Sequence, residues 1–190
     1  MNTIVNSKTI KDWAKFIGTE PLKIQTVNAQ EIYNNFQYFV KNEMVIFDFR
    51  SRDAFQDCHI KNSINIPLES WTPYDFINFN ESKFAQSFCQ DKLSSFLFKG
   101  RRRSLVILIP SENSSCDLIS NIPKLFESSK SDENSSIEFS EDEASLRNAL
   151  LFKRQLISEK WRNCFLSKSG MRSISESYPW IWEFKDKDHM

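Results

Sequence analysis

Residues 44–69 constrain the fold of this 190-residue chain more than any other stretch. The apolar run at residues 44–47 is too short for a helix of its own and rich in strand-forming residues, so it predicts a buried strand. Ser51 can then cap a short helix, and a second apolar run at residues 64–66 is closed by Pro67. Strand, short helix and strand in so few residues predict a compact parallel β-α-β unit.

The rest of the chain continues this alternation. Asn28, followed three residues later by Glu31, predicts a helix that leads into the first buried strand. The run at residues 105–109 is the most strand-like of all and is predicted to be central in the sheet. The remaining predicted elements are an edge strand at 22–27, a loop at 71–80, helices at 81–97, 118–126 and 144–161, and a last strand at 164–166. The pattern predicts an α/β domain.

Composition excludes several classes of function. Lys and Arg together number 25, as do Asp and Glu, so net charge gives no reason to expect a nucleic-acid partner. With two His and four widely spaced Cys we expect neither a metal site nor a cofactor. No apolar run is long enough to cross a membrane, and we expect a cytoplasmic protein with reduced thiols.

Short motifs, taken in order, resemble the rhodanese-like domain. Asp48-Phe49-Arg50, His59-Ile60 and Ile64-Asn65-Ile66-Pro67 match that family's pattern in order and spacing, and Gly170-Met171 and Tyr178-Pro179 match its ending. The resemblance implies a rhodanese-like α/β fold with a central, mainly parallel sheet of about five strands flanked by helices on both faces. It gives structural roles to Asp48, Arg50, His59, Gly170, Tyr178 and Pro179.

The domain organisation follows from the same reading of pattern and composition. Residues 1–22 are predicted to be an N-terminal extension with a short helix at 7–17. The resemblance implies a rhodanese-like domain over residues 23–182, and residues 183–190 are predicted to be a charged tail. Residues 127–143 hold seven acidic side chains and many serines, which predicts a flexible acidic insertion.

The loop after the central strand carries the chemistry in active members of the family. There a cysteine follows the strand directly, and backbone N–H groups of its loop hold an anionic sulfur intermediate. In this chain Pro110 stands at that place, without a thiol or an N–H. The resemblance therefore implies a degenerate loop and no catalytic residue, over Pro110, Ser111, Glu112, Asn113, Ser114 and Ser115. The alternative is a sulfurtransferase or phosphatase-like enzyme that uses the displaced Cys116.

Inactive rhodanese-like domains commonly serve as docking modules. The loop and the acidic segment resemble those in the N-terminal domain of mitogen-activated-protein-kinase phosphatases and of their serine/threonine/tyrosine-interacting-like pseudophosphatase relatives. The resemblance implies a non-catalytic interaction or regulatory module that scaffolds a complex or docks a protein kinase. The expected partner-binding residues are Arg101, Arg102 and Arg103. The alternatives for this cluster are a solvated turn or an intramolecular partner of the acidic segment.

Overall fold

The computed structural model describes residues 3–5, 24–38, 44–113, 137–161 and 163–184. The described strands are β1 (Thr3–Val5), β2 (Thr26–Val27), β3 (Met44–Asp48), β4 (Cys58–Ile60), β5 (Ile64–Asn65), β6 (Leu105–Ile109), β7 (Ile137–Phe139), β8 (Cys164–Ser167) and β9 (Trp182–Phe184). The described helices are α1 (Ala29–Tyr38), α2 (Arg52–Asp57), α3 (Pro73–Ile77), α4 (Glu81–Phe88), α5 (Lys92–Gly100), α6 (Glu141–Ser158) and α7 (Met171–Ser177), with 3-10 turns at Arg101–Arg103 and Pro179–Ile181.

Five strands form one parallel sheet in the order β2-β8-β6-β3-β5. The central strand is β6, which pairs with β3 on one side and β8 on the other. Its residues 106–109 are fully buried, as expected for a strand covered on both faces. The predicted fold class and the predicted central strand are confirmed.

Helices pack on both faces because successive side chains of a strand point to opposite sides. On one face Phe47 packs edge-on against Phe152 of α6, with ring centroids 5.0 Å apart. On the other face Ile46 shares a core with Ile32 of α1 and Ile174 of α7. The sheet is therefore the middle layer of three, and the ends of its strands are where loops can build a site.

Two predictions for the first face are wrong in detail. Residues 71–80, predicted as a loop, contain α3, which has Pro73 in its first turn, where the missing N–H costs nothing. The single helix predicted at 81–97 is two helices, because Asn80 caps α4 and Asp91 caps α5. Each cap accepts a backbone N–H and starts a new helix.

The acidic segment 127–143 ends in regular structure, so the prediction of a flexible insertion is wrong for residues 137–143. The strand β7 pairs with β1 in an antiparallel ladder. Ser140 and Glu143 then form a capping box at the start of α6, in which each side chain accepts the backbone N–H of the other residue. Residues 127–136 lie outside the described residues.

The ends of the chain also contribute strands. β1 falls within the predicted N-terminal extension, and β9 pairs with β4 across the predicted boundary at residue 183. The helices predicted at 7–17 and 118–126 lie outside the described residues. None of the described helices is both long enough and apolar enough to cross a membrane.

Arg101 connects several helices beneath the surface. Its side chain is about 1% exposed, and its guanidinium carbon lies 3.9 Å from the centre of the Phe98 ring. Its Nη1 donates to Glu81 at 2.9 Å, and its Nη2 donates to Glu159 at 3.2 Å. The guanidinium therefore ties α4 to the end of α6 while its flat face packs on an aromatic ring.

This position corrects the predicted partner-binding cluster. Arg101 is unavailable to a partner because its side chain is buried, both of its Nη atoms donate inside the fold, and its face packs on Phe98. Arg103 is exposed, whereas the side chain of Arg102 is not among the described ones.

Replacing Arg101 by alanine should lower the free energy of unfolding by about 3 kcal/mol, because it removes a buried charge from its partners and leaves a void. Arg103→Ala is the matched control, and its effect should stay within about 0.5 kcal/mol because the side chain is exposed. Chemical denaturation of both variants measures the difference. Equal losses in the two variants would contradict the buried role of Arg101.

Candidate functional site

The candidate site lies at the carboxyl end of the two central strands. β3 and β6 are parallel neighbours in register, so that Asp48 lies opposite Ile109. The residues that follow each strand consequently meet at one edge of the sheet. This places Arg50 beside the loop that begins at Pro110, the edge at which open α/β sheets usually bind ligands.

Arg50 is the hub of this edge. Its Nε donates to Asp48 Oδ1 at 3.0 Å and its Nη2 to Asp48 Oδ2 at 2.7 Å, while both side chains are almost fully buried. Nη2 also donates to the Cys58 carbonyl at 2.6 Å, and Nη1 donates to the Glu112 carboxylate. Burial alone would lower the pKa of Arg50, but the charge of Asp48 and the bonds to both carboxylates outweigh it and raise the pKa.

The carbonyls of the loop after β6 point toward the start of α7. Ser111 O accepts the N–H of Met171 at 3.1 Å, and Glu112 O accepts the N–H of Arg172 at 3.0 Å. The Ser111 hydroxyl, fully buried, donates to Asn113 O at 2.6 Å. These bonds satisfy N–H groups that a helix start leaves unpaired and fix the path of the loop.

Gly170 permits the close approach of this loop. A Cβ at residue 170 would lie 2.2 Å from the carbonyl carbon and oxygen of Asn113, and 2.3 Å from Glu112 O. All three are backbone atoms, which cannot rotate away as a side chain could. Only glycine fits here, which gives a physical reason for the structural role predicted for Gly170.

A carboxylate from another part of the chain faces the same loop. Asp142, in the first turn of α6, accepts hydrogen bonds from the Glu112 N–H and from the Asn113 side chain. Burial is the largest influence on Asp142 and raises its pKa. The two hydrogen bonds act against that shift, whereas the charges of Glu141 and Glu112 add to it. An N–H of the loop after the central strand is thus bound to an internal anion.

Next to these groups is a cavity of about 360 Å³. Its lining contains Arg50, Ser51, Ala54, Glu112, Ser140, Glu141, Asp142 and Ser145. Among the described residues of this lining, the one cationic group is Arg50, and it already faces Asp48 and Glu112. The cavity is acidic, and it disfavours anions such as thiosulfate or a phosphate ester.

The described thiols are poor nucleophiles at neutral pH. Burial raises the pKa of Cys58 to about 11, and the pKa of Cys89 and of Cys164 to about 12. A thiol attacks as its thiolate, which these values keep scarce. Cys116 lies outside the described residues, as do Ser114 and Ser115. In the described ranges, no group of three His, Cys, Asp or Glu side chains could hold a metal ion.

His59 and Tyr178 pack within the fold. The His59 ring stacks on Phe55 with centroids 4.1 Å apart, and its Nδ1 lies 2.9 Å from the Phe55 carbonyl oxygen. Tyr178 stacks on Tyr33 of α1 at 4.4 Å. Pro179 is exposed and opens a 3-10 turn. None of the three lines the cavity beside Arg50.

Sequence reasoning missed Asp142 and the partnership of Arg50 with Glu112. The composition of residues 127–143 predicts for Asp142 no more than one charge in an acidic segment. The pair Ser140 and Glu143 has the spacing of a capping box, and this signal could have placed Asp142 in the first turn of a helix. No local sequence pattern predicts a contact between residues that are 62 positions apart, such as Arg50 and Glu112.

Gly170→Ala should lower the free energy of unfolding by about 1–3 kcal/mol, because the added methyl group overlaps backbone atoms of the loop. Gly100→Ala is the matched control. A Cβ there meets nothing closer than 4.0 Å in a helical conformation, and the change should stabilise by up to about 1 kcal/mol. Thermal or chemical denaturation measures both variants, and a neutral Gly170→Ala would exclude the described path of the loop.

Comparisons with known proteins give one family match. The model of the Rhodanese-like domain matches residues 37–117, which is less than half of the chain and includes β3, β6 and the loop after β6. No curated protein matches the sequence. Among solved structures, the BH2092 protein from Bacillus halodurans shows 10% sequence identity and a TM-score of 0.43, over 85% of this chain and 77% of that chain. The fold assignment does not depend on that likeness. The family match and the parallel five-stranded sheet show that the chain contains a rhodanese-like domain.

Proposed function

We propose that this rhodanese-like domain is a non-catalytic protein-interaction module. The observation that carries the proposal is the contact between Asp142 and the loop after β6. The Glu112 N–H, of the kind that would hold an anionic intermediate, donates to the carboxylate of Asp142. The residue directly after the central strand is Pro110, which offers neither a thiol nor an N–H.

Electrostatics supports the same proposal. An anionic substrate or persulfide would enter a cavity that already holds Glu112, Glu141 and Asp142. Arg50 cannot offset their charge, because it is paired with Asp48 and Glu112. Like charges at such short range oppose anion binding, whereas sulfur transfer from thiosulfate requires it.

The alternative is an enzyme that uses the displaced Cys116. An assay of thiocyanate formation from thiosulfate and cyanide distinguishes the two functions. The full chain is assayed, and Cys116→Ser is its control. We expect no thiocyanate above the uncatalysed rate from either protein, and no hydrolysis of p-nitrophenyl phosphate. Turnover that is lost in Cys116→Ser would overturn the proposal.

The surface that best suits a partner is the outer face of α5. Leu93 and Phe96 are 43% and 55% exposed there, three residues apart and so on one side of the helix. Exposed cations flank them at Lys92, Lys99 and Arg103. Large exposed apolar side chains with charged residues around them are typical of interaction sites.

The fold holds this face, which we call the α5 surface, in a fixed orientation. Asp91 caps the start of the helix by accepting the N–H of Ser94 at 2.8 Å. At the other end Arg101 is buried against Phe98. A rigid surface loses little conformational entropy on binding.

Charge complementarity points to an acidic partner with apolar side chains. Cations near the rim attract an acidic segment, and Leu93 and Phe96 give apolar contacts at the centre. The acidic docking groove of a protein kinase is one such partner. Of the predicted arginine cluster, Arg103 belongs to this proposed docking surface. Residues of α5 take the place of Arg101, which is buried.

Fluorescence anisotropy with a labelled peptide of alternating acidic and leucine residues tests the α5 surface. Phe96→Ser and Lys99→Glu should each weaken binding about tenfold, which corresponds to about 1.4 kcal/mol. Tyr74→Ser is the matched control, because Tyr74 is 70% exposed on α3. The basic counterpart of the peptide should not bind at this surface.

A purified mitogen-activated protein kinase forms the second arm of this experiment. If the acidic peptide bound but the kinase did not, kinase docking would be excluded and the α5 surface would remain the proposed interaction site. If all variants bound equally, the α5 surface would not be the interaction site.

A further inference from the structure

The strand β5 lies at one edge of the five-stranded sheet. Among the described strands it pairs with β3 alone. A groove of about 670 Å³ opens beside it, within the range of volumes that take ligands. The groove is lined by β5 and its flanking residues and by parts of α2, α4 and α5. It shares no residue with the α5 surface, so it is a separate place for a ligand.

The backbone of Asn65 is directed toward this groove. Asn65 lies opposite Asp48 in the parallel ladder, and the N–H of Ile66 donates to Asp48 O at 2.7 Å. Alternate residues of a strand direct their N–H and carbonyl groups to the same side, so Ile64 and Ile66 face β3. The N–H and carbonyl of Asn65 therefore face the open edge, where Asn65 lines the groove. Such unpaired edge groups are a template for another strand.

The open edge is short and held in place. The side-chain amide of Asn65 donates to Asp48 O and to Arg50 O, each at 3.1 Å. Pro67, two residues later, is buried and has no N–H to offer to a ladder. A short ordered edge favours one short extended peptide over the joining of whole sheets from two copies.

Aromatic side chains lie along the same groove. Phe55 of α2 and Phe88 of α4 are half-buried and line it, and so does the buried Trp71. Side chains of an added strand point alternately to its two faces, so some of them would contact these rings. Main-chain bonds along an edge, together with pockets for alternate side chains, are the features of recognition by strand addition.

Charge in the groove favours an acidic ligand. The guanidinium of Arg52 is exposed and forms no ion pair or hydrogen bond with any residue that the structure describes. Glu69 accepts only the backbone N–H of Arg52, at 3.4 Å. Asp91, the carboxylate of the described lining, already accepts the N–H and the hydroxyl of Ser94. Arg52 is therefore the charged group that a ligand can still pair with.

We propose that the groove beside β5 binds an extended acidic segment of a partner protein, which adds to the sheet as a sixth strand. The segment exchanges backbone hydrogen bonds with Asn65, places an apolar side chain against Phe55 and Phe88, and brings a carboxylate to Arg52. This inference goes beyond the α5 surface and does not rest on it. Its failure would leave the proposals for that surface and for sulfur transfer intact.

Hydrogen exchange of the full chain, followed by nuclear magnetic resonance, tests the open edge. The amide of Asn65 should be at least tenfold less protected than that of Ile66, because only the Ile66 N–H is bound to β3. The capped peptide Thr-Val-Glu-Val-Thr should then raise the protection of Asn65 at least tenfold. Equal protection of both amides in the free chain, or no change at Asn65 with the peptide, would overturn the proposal.

Two N-methylated forms of this peptide separate strand addition from binding through side chains alone. One is methylated on the nitrogen of its Glu and the other on that of the following Val. Adjacent N–H groups of a strand point to opposite sides, so one form should bind at least tenfold more weakly and the other nearly as well as the parent. Equal losses in both forms would contradict strand addition. Tighter binding of the peptide with Lys in place of Glu would overturn the acidic partner.

Variants of the protein locate the binding. Ser87→Trp fills the groove and should weaken binding of the peptide at least tenfold, whereas Arg52→Gln should weaken it about threefold. Ser82→Trp is the matched control, because Ser82 is exposed on the same helix and outside the lining. Phe96→Ser should leave the affinity unchanged.

The remaining outcomes assign the peptide or the edge elsewhere. Equal affinity in folded Ser87→Trp and Ser82→Trp would contradict the groove, and a loss in Phe96→Ser would place the peptide on the α5 surface instead. Analytical ultracentrifugation of the full chain covers the other occupant. A dimer that Ser87→Trp abolishes would assign the edge to a second copy and overturn the partner segment.

Discussion

The buried ion pair between Arg50 and Asp48 is the interaction on which the rest of the site depends. Three bonds join the guanidinium to Asp48 at the end of β3, a fourth reaches the Cys58 carbonyl, and a fifth reaches Glu112 in the loop after β6. Taking a guanidinium out of water costs several kcal/mol unless its donors find acceptors, and here all its nitrogens do. Removing either partner would leave an uncompensated charge in the fold. The pair therefore fixes the position of the loop and also the sign of the charge beside it.

The loop is held from three sides. Arg50 holds its Glu112 side chain, the N-terminus of α7 binds its carbonyls, and Asp142 accepts its N–H. Gly170 leaves the space that this arrangement needs. Within the described part of this loop, the N–H of Glu112 is therefore already bound and not available to an anionic intermediate. The same contacts leave an acidic cavity next to it, which agrees with the proposed lack of sulfur transfer.

Local signals in the sequence predict most of the architecture and little of the site. The run at residues 105–109 is predicted to be central, and it is, because a strand buried on both faces must be apolar throughout. Pro110 can be located because it follows that strand directly. The burial of Arg101 cannot be found in the same way, since three adjacent arginines are typical of an exposed turn and only tertiary contacts with Glu81 and Glu159 bury one of them. The role of Asp142 depends on how α6 packs against the loop, which no local pattern specifies.

The central claim is that the carboxylate of Asp142 occupies the N–H of Glu112. Nuclear magnetic resonance measures this directly, by following the amide proton of Glu112 in the full chain as a function of pH. Its chemical shift should follow a carboxyl group with a pKa above the ordinary value of 3.8 for aspartate, and that transition should be absent from Asp142→Asn. An amide proton that does not titrate, or that titrates in the same way in both proteins, would contradict the account.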